Sequence, residues 1–128
     1  MSQATNYLEN KVLDHILGTA AYTMPTVYLG LFTATPSDTG GGTEVSGNAY
    51  ARQACPFSVA VTNTGSLNSG TVTFPTASGS WGTITHWALF DAVTTGNMLV
   101  YGALASSRTI ALSDTLIVNP GGLTVTLD

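Results

Sequence analysis

The sequence predicts a mainly β protein: a single antiparallel β-sandwich, jelly-roll-like, preceded by one short helix. Three observations lead there. Short apolar or alternating runs recur along most of the chain, separated by Gly, Pro, Asn and Ser punctuation. Charged residues are only 8% of the chain, against roughly 25% in ordinary globular proteins, while 44% are apolar, so Thr, Ser, Gly and Asn fill the surface. Finally, no period of fixed length repeats, which disfavours propellers and solenoids. With 128 residues the chain is read as one domain, 1–128, with a helix over 5–17, a sandwich over 26–128 and a Gly-rich loop at 34–48.

The helix spans Thr5 to Leu17. Asn6 is the expected N-cap, with Glu9 as its capping-box partner. Leu8, Val12, Leu13, Ile16 and Leu17 form one apolar stripe, and Gly18 ends the helix in a left-handed conformation. About three turns are marginal alone, so the stripe is expected to dock on the sheet or on a neighbouring subunit.

Thr26 to Thr33 reads as the first long strand, with Gly30 a site of close approach. The loop that follows carries Gly40, Gly41 and Gly42 and two of the seven acids, Asp38 and Glu44. Tyr50 to Cys55 and Phe57 to Val61 read as strand segments broken by Pro56, with Phe57, Val59 and Val61 alternating as a half-buried strand. Asn63 to Gly65 reads as a turn, and Leu67 to Phe74 as a strand with Val72 and Phe74 inward.

The densest apolar stretch is Trp81 to Asp91. It holds both tryptophans, Trp81 and Trp87, together with His86 and Phe90. Apolar residues occupy both alternation phases near its end, so it reads as a central strand buried on both faces. Thr94 to Asn97 is then a hairpin turn into a strand from Met98 to Leu104, and Arg108 to Leu112 alternates again. Leu116 to Asn119 and Leu123 to Leu127, joined by Pro120, Gly121 and Gly122, read as a closing hairpin. The count is roughly seven to nine short strands.

The charge pattern excludes several functions. Net charge is −4 and the only basic residues are Lys11, Arg52 and Arg108, so no basic patch can form for nucleic acid or an anionic membrane. No run of about 18 apolar residues offers a membrane span, and the first residues lack the basic start and apolar core of a signal peptide. The single cysteine, Cys55, can form no intrachain disulfide and reads as a buried, inert thiol.

Catalytic and metal chemistry find no constellation. His86 has only His15 and Cys55 as possible soft co-ligands elsewhere, with no HxH, HExxH or CxxC spacing. His86 and Asp91 lie an odd number of residues apart and point to opposite faces of a strand, so Asp91 is read as the cap of the following turn. Asp38 and Glu44 match no calcium loop. The three glycines lack the ending of a phosphate loop, and no serine sits in a nucleophile elbow. No catalytic residue, metal or cofactor is therefore assigned, and the chain is read as no enzyme. The best surface signal is an interface patch of Tyr7, Leu8, Asp38, Glu44, Tyr50 and Arg52, because Tyr and Arg are enriched at interface centres. Trp81, His86, Trp87, Phe90 and Asp91 are read as the core signature.

The chain also resembles a family of short tailed-phage virion proteins, commonly labelled tail-fibre proteins. The resemblance is carried by Asn6-Tyr7-Leu8-Glu9-Asn10, Leu13-Asp14-His15, Val27-Tyr28-Leu29-Gly30-Leu31-Phe32-Thr33, Gly41-Gly42-Thr43-Glu44-Val45-Ser46-Gly47 and Tyr50-Ala51-Arg52-Gln53. It continues through Trp81-Gly82-Thr83-Ile84-Thr85-His86, Leu89-Phe90-Asp91-Ala92, Gly96-Asn97-Met98-Leu99 and Leu123 to Asp128. Ala49 and Cys55 stand where Gly and a Val-like residue are more usual. The resemblance implies a non-enzymatic structural protein of the virion, with other virion proteins, major capsid or tail, as partners, and no catalytic residues to carry over. A fibre shaft needs length, repeats or a coiled coil, and the chain has none of these. The expectation is therefore a capsid decoration or cement protein, working as a homo-oligomer with a trimer favoured. A short tail-fibre or receptor-binding module contacting host surface glycans is the alternative, and a carbohydrate-binding module outside any phage the remote one.

Overall fold

The computed structural model describes residues 2–62 and 65–127. A short strand, β1 (Ser2–Ala4), precedes the helix α1 (Asn6–Ile16). Among the described residues nine further strands follow: β2 (Tyr28–Ala34), β3 (Thr43–Glu44), β4 (Gln53–Ala54), β5 (Ser66–Leu67), β6 (Val72–Thr73), β7 (Gly82–Phe90), β8 (Met98–Ile110), β9 (Ile117–Val118) and β10 (Thr124–Val125). The fold is mainly β, with one helix and all described pairings antiparallel. The main sheet runs β1-β8-β7-β2-β3, with β4 also pairing β2, and two separate ladders, β5 with β10 and β6 with β9, complete it. The second layer is thus two short ladders rather than one continuous sheet.

The strand from the Trp81 stretch is central, between β2 and β8. It is buried on both faces because alternate residues feed different clusters. Trp87 and Leu89 join Leu29, Leu31, Phe74, Trp81 and Leu123 in the larger core, under the ladders. Ala88 and Phe90 join Phe32, Met98 and Tyr101 in a smaller core on the other face. Trp81 anchors the larger core by an aromatic cluster, edge-on to Tyr50 (5.4 Å between centroids, 87°) and to Phe74, and its indole N–H donates to the Asn48 carbonyl.

Several local expectations are corrected. The N-cap is Thr5, not Asn6: Thr5 Oγ1 accepts from the Leu8 N–H. It also donates to the Met98 carbonyl at 2.6 Å, so the cap is buried against β8. Asn6 instead donates its N–H to the Asp38 carbonyl. Gly18 does end the helix in the left-handed region, at φ 77°. None of the helix residues is buried. Tyr7 and Leu8 pack on the larger core, but Leu13, Ile16 and Leu17 are 55%, 72% and 71% exposed. The first turn docks on the sheet and the rest of the apolar stripe is left uncovered.

Phe57 to Val61 is no strand. Phe57 and Val61 make only isolated bridges, and Val59 and Val61 are exposed despite their alternation. Two residues of the Asn63 to Gly65 turn lie outside the described residues. The Leu67 to Phe74 run splits into β5 and β6 around Asn68, although Val72 and Phe74 are buried as expected. Asn68 is fully buried, and its amide donates to the carbonyls of Gly70 and Asn119 and accepts from the Leu123 N–H. The closing hairpin is also corrected: β9 pairs β6 and β10 pairs β5. Asn68 is the reason, because it ties the 119–123 turn to the 68–70 bend and directs each flanking strand to a different partner. Finally, Met98 to Leu104 and the Arg108 to Ile110 part of the expected Arg108 to Leu112 strand form one strand, β8, whose register against β7 shifts between Ile84 and His86 and between Leu89 and Phe90; Ala111 and Leu112 lie beyond its end.

Candidate functional site

Four of the six interface candidates, Tyr7, Asp38, Glu44 and Arg52, line one cleft on the face of the smaller core. Its floor is Phe32 and Phe90, stacked at 6.1 Å and 7°. The Gly-rich loop forms one wall, the first turn of α1 with Asn6 and Tyr7 another, and the β7–β8 turn with Gly96 and Asn97 a third; the volume is about 430 Å³. Asp38, Glu44 and Arg52 line it. Tyr50 and Leu8 do not line it and pack on the larger core, Tyr50 reaching Glu44 through its hydroxyl.

The sequence builds this geometry from β2 outward. Gly30 has no side chain because none fits: a Cβ there would lie 2.9 Å from Glu44 Oε1 and 3.3 Å from Phe90 and from the Tyr50 hydroxyl. Into that space reaches Glu44, from β3. Arg52 holds it as a fork, Nε to Oε1 and Nη2 to Oε2, both at 2.8 Å. Tyr50 donates its hydroxyl to Oε1 at 2.7 Å and accepts from the Leu31 N–H. Burial above all, with help from the Glu44 carboxylate and against the opposing Leu31 N–H, holds the Tyr50 hydroxyl far above its ordinary pKa. Arg52 Nη1 donates to the carbonyls of Ala92 and Thr95, and the guanidinium lies flat over Phe90. Tyr50 and Arg52 are therefore not a free patch; they lock Glu44 and tie β3 and β4 to the β7–β8 turn.

Asp38 is the exposed acid of the cleft. Tyr101, on β8, donates its hydroxyl to Oδ1 at 2.6 Å. That hydrogen bond, then burial, then the charges of Asp38 and Glu9 push the tyrosine up to about 12. The sequence offered no signal for this contact, which joins residues far apart in the chain.

The remaining candidates are not brought together. Trp81, Trp87 and Phe90 are buried, while His86 and Asp91 are partly exposed. Within hydrogen-bond distance His86 has its neighbour, Thr85, at 2.8 Å. Asp91 caps the β7–β8 turn as expected, accepting from the N–H and side-chain amide of Asn97. Among the described residues no group of three or more His, Cys, Asp or Glu side chains could hold a metal ion. Cys55 is buried, and its thiol is pushed up to about 11 by burial. A second cleft, about 560 Å³, is lined mainly by apolar side chains of the larger core, among them Leu29, Leu31 and Trp87.

The family described as Gp80, Podophage GP4 fiber I protein gp80, matches the chain over residues 3–126. No curated protein matches it.

Proposed function

The chain belongs to the Podophage GP4 fiber I protein gp80 family, and from that premise we propose that it is a subunit of a tail fibre that helps the particle contact host surface glycans. As a member it is a structural component of a bacteriophage virion. The fibre description favours the tail over the capsid-decoration reading that composition suggested.

The observation that supports a subunit role is the division of labour along α1. Its first turn docks on the sheet and lines the cleft, while Leu13, Ile16 and Leu17 beyond it are uncovered. An apolar stripe of this kind on a small protein marks an interaction surface. We read its occupant as a neighbouring copy of the chain, in a homotrimer, since a compact unit builds a fibre only by association. The role is non-enzymatic in this reading. Glu44 is held by Arg52 and Tyr50, Asp91 caps a turn, and His86 stands apart from both, so no general acid is poised against a base.

Quantitative mass spectrometry on purified particles tests the assignment. A fibre subunit is present in far fewer copies than the major capsid protein. Copy numbers approaching those of the capsid protein would restore the decoration reading.

A further inference from the structure

The cleft beside the Gly-rich loop is charged in a way that restricts its ligand. Among the described residues Arg52 is the one cation lining it, and four of its five N–H groups are engaged. Of its five N–H groups, two hold the oxygens of Glu44 and Nη1 is engaged by the carbonyls of Ala92 and Thr95. One face of its plane is covered by Phe90, at 3.4 Å. No fork is left for a phosphate, sulfate or carboxylate. Lys11 does not line the cleft; its ammonium sits over the Tyr7 ring, 5.7 Å from the centroid.

The groups left open include donors, such as the Asn6 side-chain amide, and two acceptors. Asp38 uses Oδ1 for Tyr101, and its Oδ2 has no partner among the described residues. Asn97 spends its backbone N–H and one of its two side-chain amide N–H groups on Asp91, its backbone carbonyl accepts from the Asp91 N–H, and its Oδ1 has no partner among the described residues. Arg52 neutralises Glu44, which leaves Asp38 as the net charge lining the cleft, with Glu9 close enough to act on Tyr101, and the local field is negative. A ligand bound through these acceptors must bring donors, and an anion there would meet the Asp38 carboxylate, with the one lining cation already paired to Glu44. Phe32 and Phe90 beneath supply an apolar floor, and the volume lies in the ordinary range for small-molecule sites.

We infer that this cleft binds a hydroxyl- or amino-bearing, non-acidic saccharide through Asp38 and Asn97, and rejects acidic sugars and sugar phosphates. The inference rests on the glycan-contact part of the function proposed above and adds the ligand's charge class.

The test is titration of the full chain, by calorimetry or ligand-observed NMR, with three probes: chitobiose, glucosamine and sialyllactose. Chitobiose or glucosamine binds and sialyllactose does not. Asp38→Ala and Asn97→Ala each weaken the binding at least tenfold while the thermal midpoint is followed as a control for folding. Should Asp38→Ala unfold the loop, Asn97→Ala decides when read against Asp91→Ala, which breaks the same turn bond and leaves the Asn97 Oδ1 acceptor in place. Asp38→Lys removes binding of the neutral and amino probes and admits sialyllactose. Preference of the unaltered protein for sialyllactose would overturn the charge selection and leave glycan contact standing. Binding of none of the three would overturn the inference and remove the cleft from the glycan-contact reading as well. Binding that survives both alanine variants would place the saccharide elsewhere on the chain and overturn it too.

Discussion

The guanidinium of Arg52 lies flat on the Phe90 ring, 3.4 Å from its centroid, while its edge grips both oxygens of Glu44. One side chain thereby joins the short edge strands to the central strand and closes the floor of the cleft. Its own side chain is 8% exposed and that of Glu44 24%, so the pair is largely removed from water. Arg52→Ala leaves the Glu44 carboxylate without its counter-charge and is expected to cost about 3 kcal/mol. Arg52→Lys recovers only part, because an ammonium can neither fork nor stack. Urea unfolding of the two variants measures both; an Arg52→Ala protein as stable as the parent would show the pair to be ornamental.

Gly30 is held small by the same cluster. Gly30→Ala would push a methyl group to 2.9 Å from Glu44 Oε1, with Phe90 and the Tyr50 hydroxyl at 3.3 Å. Overpacking at such a point costs about 1–3 kcal/mol. Thermal unfolding should show a lower midpoint with the cooperativity kept.

Ala49 has φ 68°, a conformation that costs an L-residue about 1–2 kcal/mol and glycine almost nothing. Ala49→Gly is therefore expected to stabilise the protein by about 1 kcal/mol. The exposure of Ala49 makes any packing change small. A loss of stability in the same unfolding assay would contradict the strain.

The Cys55 thiol is raised from 9.0 to about 11 by burial. A raised pKa means that the folded state keeps its proton longer than the unfolded chain does. The thiol's contribution is therefore complete below about pH 9 and is lost as pH rises through 11. Native protein at pH 8 should be inert to Ellman's reagent until denaturant is added. Over the alkaline range, Cys55→Ala should show a shallower fall in stability than the parent. Rapid reaction of the native thiol would show that Cys55 is accessible.

How far the sequence reached differs from place to place, for physical reasons. The central strand was legible because burial on two faces writes apolar residues into both alternation phases, as Trp87, Ala88, Leu89 and Phe90 do. The close approach at Gly30 and the cap at Asp91 were legible because they depend on local chemistry. Partner choice was not. Leu116–Asn119 and Leu123–Leu127 look like a hairpin, yet Asn68, some fifty residues earlier in the chain by the separation of its bond to Asn119, sends the two strands to different ladders. Val59 and Val61 alternate as a buried strand would and are exposed, since alternation records a tendency and only tertiary contact decides it. Tyr50, Arg52, Asp38 and Glu44 were each singled out from their residue types. That Arg52 would bind Glu44 rather than a partner, and that Tyr101 would reach Asp38, depended on how β2, β7 and β8 bring distant segments together.

Asn68 itself carries a further expectation. Asn68→Asp would set a carboxylate oxygen against the carbonyls of Gly70 and Asn119, which now accept from its amide. An unsatisfied buried group costs about 1–3 kcal/mol and a charged one more. The variant should be strongly destabilised at neutral pH and partly recovered in acid, where the carboxyl is protonated. A pH-independent effect on unfolding would contradict this account of the ladders.

The central claim is the place of the chain in the particle, and labelled electron microscopy of purified virions tests it most directly. Gold-conjugated antibody raised against the chain is predicted to decorate the tail-fibre region and leave the capsid shell bare. Label spread evenly over the capsid surface would contradict the fibre assignment.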